Sequence, residues 1–339
     1  MNRKILLSFI LLFAGIIHLV NPLVFFPIIP SFFSMKLEII YITGILEIIL
    51  AIGLLIPRLQ HVSAFIITIY FIILIPVHIY ISYYGIEILG IENHGLLWVR
   101  TLFQYVLILW AYSLQSNAWV IEQVWRHVFF IHYKIDPKLI ESLVPYKLDL
   151  YEGEAVISVV PFFMERIRFP FLPAIPKISS LWELNLRTYV EVNGIKGIYF
   201  FTLETDSFLG NFIANNFFHL PYQFSKIKAR IKNNHYEFCH NRAGLSFELG
   251  ATIFTDEIKS SQFDLWATER YSLFTSYKGM TYQGIVNHEP WHLVSASIEN
   301  LKNNFTQLAV PGSPVVCDVS YARYLKVRFI PFKNVGAIY

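Results

Sequence analysis

Hydrophobic positions along this chain follow two regimes. Four long apolar runs, Ile5 to about Val20, about Leu37 to Ile56, Val62 to about Ile81 and Leu96 to about Leu114, each approach or reach the roughly 20 residues that cross ~30 Å of hydrocarbon as a helix. Their linkers hold the polar and helix-breaking residues: Asn21, Pro22, Pro27 and Pro30 after the first run, Pro57 to His61 after the second, and Gly90 to Gly95 before the fourth. Pro27 and Pro30 within apolar sequence point to a short helix or loop at the membrane interface. A signal peptide is the rival reading of the first run. No clean small-residue cleavage site follows it, and the sequence runs on through His18 and Pro22 into another apolar stretch.

Beyond Arg126 the runs shorten. Ala155 to Phe162, Leu184 to Val192, Gly197 to Leu203, Leu245 to Gly250, Phe263 to Trp266 and Val327 to Ile330 read as strands, separated by turns at Tyr151 to Gly153, Asn193-Gly194 and Asn241 to Gly244. Asn193-Gly194 between two strand candidates predicts a hairpin. Helices are expected from Asp206 to about Asn216 and around Pro137 to Leu143, where Pro137 suits a first turn. The expected architecture is a four-helix transmembrane bundle over residues 1–115, a junction over 116–125, and a mainly antiparallel β domain over 126–339. That domain is a barrel or a pair of sheets with a few helices.

Charge follows the same division. The chain of 339 residues is 55% hydrophobic and 15% charged with a mean hydropathy of +0.48, too apolar for an ordinary soluble protein. Only five of the 27 Lys/Arg and four of the 24 Asp/Glu fall in the first 115 residues, so lipid suits the first part and water the second. Arg3, Lys4 and Arg58 on one side against Lys36 on the other favour a cytoplasmic N-terminus, and four spans then return the β domain to the cytoplasm. A net charge of +3 without a Lys/Arg cluster gives no nucleic-acid partner. Cys239 and Cys317 form no metal-ligand spacing, and no metal is expected.

Polar residues inside the apolar runs are costly, so each needs a partner. Gly44, Glu47 and Ala51 share one helical face, where small residues let another helix approach. His18, His78 and Arg100 are the potential partners of Glu47, and Arg100 and Gln104 share a face one turn apart. A structural polar clamp, a proton, quinone or small-ligand site, and simple snorkelling of Arg100 are the competing accounts. Pro76 removes a helical hydrogen bond two residues before His78. The stretches Ala14 to His18, Gly44 to Glu47, Gly53 to Pro57 and Pro76 to Tyr80, with Pro22 and Pro30, resemble the DoxX-like family of small four-helix membrane proteins. That resemblance implies a membrane location and associates some members with quinone-linked oxidation.

In the β domain, Glu183, Asn185, Arg187 and Tyr189 alternate with Leu184, Leu186 and Thr188 and so share one strand face. Such a face suits a polar ligand, with the arginine gripping a carboxylate, or else a solvent-facing ladder of ion pairs. A second set, Glu269-Arg270-Tyr271 with His288-Glu289-Pro290-Trp291, offers a histidine that titrates near neutrality and a carboxylate to orient it or to pair with Arg187. No Gly-rich phosphate loop, nucleophile elbow or HExxH sequence occurs.

Glu183 to Val190, Gly197 to Leu203, His219 to Tyr222, Glu269 to Tyr271 and His288 to Leu293 resemble the YqjF-like DUF2071 family, which is similar in fold to acetoacetate decarboxylase. The resemblance implies a Schiff-base lysine near Leu220-Pro221-Tyr222. This chain has Tyr222 or Gln223 there, and neither forms the electron sink that decarboxylation needs. Lys226 and Lys228 are offset from the motif and read as surface residues. The expectation is a membrane-anchored protein that binds a small polar or carboxylated metabolite through Glu183, Asn185, Arg187, Tyr189, Tyr222, Glu269 and His288. The alternatives are a quinone-linked oxidoreductase component needing a membrane redox partner, and a structural or homo-oligomeric partner subunit. No cofactor is expected other than a quinone at His18 and Glu47 in the second of these readings.

Overall fold

The computed structural model describes residues 3–30, 33–87, 93–116 and 118–337, which form two units dividing between Ala118 and Trp119. The first unit contains α1 (Arg3–Val20), α2 (Lys36–Leu55), α3 (Gln60–Tyr84) and α4 (His94–Tyr112), all long and apolar enough to cross a membrane. The apolar stretch after α1 is a 3-10 helix, Pro22–Ile28. Residues 88–92, which include the first three of the Gly90 to Gly95 linker expected before the fourth helix, lie outside the described residues, as does Asn117 in the junction.

Consecutive helices run antiparallel, and small residues set their spacing. A β-carbon on Gly15 would sit 2.7 Å from the Gly44 carbonyl oxygen, and one on Gly44 would sit 2.6 Å from the His18 β-carbon. Side chains therefore cannot be added at this crossing, which is how α1 and α2 pack closely without a hydrophobic driving force between them. Large apolar side chains such as Phe9, Ile73 and Leu102 point outward and are 63%, 65% and 70% exposed. Faces this apolar are stable only against lipid. The multi-pass membrane character of this unit follows directly.

The second unit contains β1 (Ile121–Ile135), β2 (Lys147–Leu148), β3 (Ala155–Arg168), β4 (Leu181–Val192), β5 (Ile195–Thr205), α5 (Phe208–Phe218), β6 (Tyr222–Phe224), β7 (Lys226–Lys232), β8 (His235–Arg242) and β9 (Leu245–Glu257). It continues with α6 (Gln262–Thr268), β10 (Ser272–Tyr277), β11 (Met280–His288), β12 (Leu293–Asn303) and β13 (Val316–Ala337). Strands β1-β3-β4-β5-β10-β11-β13 follow one another in the sheet, and pairing of β1 with β13 closes them into a barrel. From β13 the sheet continues through β12, β9, β8 and β7. All pairings are antiparallel except β5 with β10 and β5 with β6.

Two apolar cores flank this sheet. Leu184, Leu186 and Val190 of β4 join Phe129 and Ile131 of β1 and Phe238 and Leu249 of β8 and β9 in one. Tyr189 lies with Phe130, Phe162, Phe200 and Val327 in the other. β4 is thus buried on both faces, and the solvent-facing ladder among the sequence readings does not occur. The Asn193-Gly194 hairpin joins β4 to β5, with both residues at positive φ, 52° and 77°.

Phe263 to Trp266, read as a strand, lies in α6. Ser261 caps that helix through the Asp264 backbone N–H while the Asp264 carboxylate accepts from the Ser261 backbone, and this reciprocal cap outweighs the aromatic β-propensity of four residues. Pro137 to Leu143 forms two 3-10 turns.

Candidate functional site: a buried arginine and carboxylate inside the barrel

Strand β4 places Glu183, Asn185 and Arg187 on one face, and each is more than nine-tenths buried. They line a cavity of about 60 Å³ together with Gln123, Trp125, Phe130, Tyr222 and Trp291. This is well below the ~150 Å³ that admits benzene, so only a small group fits. Glu183 and Arg187 stand four residues apart on the strand, ~13 Å along it, with Asn185 between them.

Glu183 is held by two donors. Tyr222 donates its phenol to Glu183 Oε2, and Asn185 donates Nδ2 to Oε1 at 3.1 Å. Burial raises the Glu183 carboxyl to a pKa of about 7, although both donors and the Arg187 charge pull it down. Tyr222 brings this donor from β6, which pairs in parallel with the end of β5. Gln223 and the lysines Lys226 and Lys228 are exposed.

Arg187 has a different environment. Its guanidinium lies over the Phe130 ring at 5.3 Å and the Tyr189 ring at 5.9 Å, and Nε is buried with no hydrogen-bond partner among the described residues. The aromatic faces stabilise the cation but accept no strong hydrogen bonds. Asn185 Oδ1 is likewise buried and unpartnered. The cavity therefore presents a positive, under-satisfied donor at one end and a carboxyl group poised near neutral pH at the other.

The other sequence-derived residues are arranged around this cavity without entering it. Tyr189 donates or accepts through its phenol with Ser158 at 2.8 Å, and Ser158 contacts His132 Nδ1 at 2.7 Å. His132 is fully buried, and burial together with the Arg187 charge lowers its pKa to about 3. Glu269 does not reach Arg187. Its carboxylate accepts from the Trp291 backbone N–H at 3.0 Å and from the Tyr271 phenol.

His288 stacks on Tyr271 with centroids 4.6 Å apart and donates Nδ1 to the Glu289 carbonyl at 2.7 Å, and burial lowers its pKa. This cluster touches the cavity only through Trp291. The wall residues Gln123 and Phe130 went unread in the sequence, and Trp125 reads there only as an interfacial anchor or a core residue. The signal available was the run Val128-Phe-Phe-Ile131, typical of a strand buried on both faces.

In the helical unit, Glu47 contacts His18 Nδ1 at 2.9 Å and accepts from the Tyr70 phenol at 2.7 Å. His78 and Arg100, the other potential partners, do not join this group among the described residues, where His78 Nδ1 and Arg100 Nη1 have no partner. Gln104 donates to the Phe71 carbonyl at 3.2 Å. The described residues contain no group of three or more His, Cys, Asp or Glu side chains able to hold a metal ion.

A barrel with an interior polar cavity, carried on a chain with membrane-spanning helices, defines the class. Residues 122–322 match the DUF2071 family of uncharacterized conserved proteins, and this chain belongs to that family. Residues 7–115 match a separate domain of unknown function, DUF8561. The uncharacterized protein YqjF of Bacillus subtilis is 34% identical over 234 residues, which is 66% of this chain and 95% of that relative.

Among solved structures, acetoacetate decarboxylase from Legionella pneumophila is similar at 12% identity with a TM-score of 0.49, covering 64% of this chain and 88% of that one. An acetoacetate decarboxylase-like enzyme from Sphingomonas wittichii is similar at 14% identity with a TM-score of 0.48, covering 64% and 94%.

Proposed function

We propose that the β unit binds a small monocarboxylate in the barrel cavity, while the helical unit anchors it to the membrane. The observation that carries this reading is the Arg187 guanidinium, buried against two aromatic rings with Nε unpartnered and facing a cavity sized for a few heavy atoms. A carboxylate supplies both the missing charge and the missing acceptors. Glu183, with a pKa of about 7, then takes the proton balance: protonated, it leaves Arg187 uncompensated and the cavity ready for an anion. Asn185 and Tyr222 orient Glu183, and Tyr189 walls the guanidinium. Glu269 and His288 act one layer back, holding Trp291 in the wall.

For the helical unit, a DoxX-like character and a cytoplasmic placement of the N-terminus and the β unit remain part of this proposal, supported by the motifs and by Arg3, Lys4 and Arg58 against Lys36. The quinone-linked and structural-subunit alternatives assign no carboxylate to the barrel. Isothermal titration of the full-length protein in detergent with acetate and pyruvate separates them. Wild type should bind at least one of the two, and Arg187→Gln should weaken that binding at least about tenfold, given ~1.5–3 kcal/mol for a charge-assisted hydrogen bond. Equal affinity in the two proteins would remove Arg187 from the site.

A further inference from the structure

We infer that the helical unit contains a second, independent site, which takes a single-chain anionic amphiphile with its head group on Arg100 and His78 and its tail among the helices. A cavity of about 540 Å³ lies within this unit, inside the ~300–1,000 Å³ range of small-molecule sites. It occupies the end of the bundle where α1 gives way to α2 and α3 to α4. His18 is near the end of α1, Glu47 in α2, His78 near the end of α3, and Arg100 six residues into α4, ~9 Å from its start. Phe25 and Ile28 of the 3-10 segment line it as well, and Phe25 lies against the His18 ring at 4.0 Å.

The balance of polar groups in this cavity decides the chemistry of the ligand. Among the described residues Glu47 is its one acidic lining residue, and both carboxylate oxygens are engaged, by His18 and Tyr70. Gln104 is engaged by the Phe71 carbonyl. What remains is the guanidinium of Arg100 and the ring of His78, whose Nδ1 donates in one of its two neutral tautomers. His78 is nine-tenths buried with Nδ1 unpartnered, and Arg100 has a buried Nη1 without an acceptor.

A guanidinium inside a membrane span, with the local carboxylate already taken, costs several kcal/mol unless an anion meets it. Apart from Thr43, whose hydroxyl donates to the Ile39 carbonyl, the remaining walls are aliphatic and aromatic, with Leu11, Leu74, Ile81 and Leu107 among them, and suit an acyl or prenyl tail. A neutral lipophile would fill the space and leave the arginine charge uncompensated. A carboxylate or phosphate head group compensates it, accepts from the guanidinium, and accepts from His78 in the tautomer that carries the proton on Nδ1.

A diazirine-bearing long-chain fatty acid, added to full-length protein in phosphatidylcholine nanodiscs and photolysed, tests this. Labelled peptides should map to α1, α3 and α4, away from the barrel and its separate Arg187 site. Excess palmitate or lysophosphatidate should suppress labelling, and whichever does so more strongly identifies the head group. Methyl palmitate and decylubiquinone, which carry no charge, should not suppress it. Arg100→Gln should cut labelling at least tenfold and Arg100→Lys should retain most of it. Equal suppression by methyl palmitate and palmitate, suppression by decylubiquinone, or undiminished labelling of Arg100→Gln would each overturn the inference. The comparison of acid and ester uses wild type alone, so it decides the matter even where the glutamine variant does not fold.

Discussion

Replacing Glu183 with glutamine removes a carboxyl group whose burial holds its pKa at about 7, against an ordinary value of 4.5. Between those two values the folded state binds more protons than the unfolded chain. The stability this group contributes is therefore complete below about pH 4.5, declines as pH rises, and is gone above about pH 7. The interval from 4.5 to about 7, at ~1.4 kcal/mol per pH unit, corresponds to on the order of 3 kcal/mol.

The glutamine side chain keeps the volume and one acceptor for Tyr222 or Asn185, so the variant should fold. Urea unfolding of the full-length protein in detergent, followed by tryptophan fluorescence at half-unit steps from pH 5 to 8, measures the effect. The difference between wild type and Glu183→Gln should fall by about 2–3 kcal/mol across that range, and subtraction cancels the other titrating groups. Parallel profiles would refute the claim that the carboxyl is buried and under-solvated.

Further outcomes follow from the same groups. His132, lowered to about 3 by burial, has the opposite sign: its contribution is present above its ordinary pKa of 6.5 and is lost as pH falls toward 3. His132→Gln should accordingly flatten the acid limb of the unfolding profile below pH 6.5. Tyr222→Phe removes a donor that holds the Glu183 pKa down, so the upper limit of the Glu183-dependent stability change should move above pH 7. Gly44→Leu drives side-chain atoms into the His18 β-carbon and the Gly15 carbonyl. It should destabilise the helical unit by ~1–3 kcal/mol in thermal unfolding while leaving the β unit's transition in place.

The membrane half was legible because its signal is long: a run of about 20 apolar residues has few interpretations, and the limits of α1 to α4 fall within a few residues of the expected ones. The Glu47–His18 contact was readable as well, since a carboxylate in lipid must find a partner and few were on offer. Short segments carried less. Phe263 to Trp266 is too brief to separate strand from helix by periodicity, and the Ser261/Asp264 cap was the stronger signal.

The face bearing Glu183, Asn185 and Arg187 was visible in the period of two, yet its direction was not. Whether that face meets solvent or a core depends on barrel closure between β1 and β13, strands about 190 residues apart in sequence. For the same reason Phe130 under Arg187, and the His132–Ser158–Tyr189 chain beside it, depend on strand register that only the assembled sheet supplies.

Fluorine NMR of fluoroacetate mixed with the full-length protein tests the carboxylate site most directly. The resonance should broaden or shift with wild type, recover on addition of excess acetate, and respond more strongly at pH 6 than at pH 8, where Glu183 is ionised and Arg187 is compensated. Arg187→Gln should leave it unperturbed. A signal altered equally by wild type and Arg187→Gln, or unaltered by wild type at either pH, would contradict the assignment of the barrel cavity to a small carboxylate.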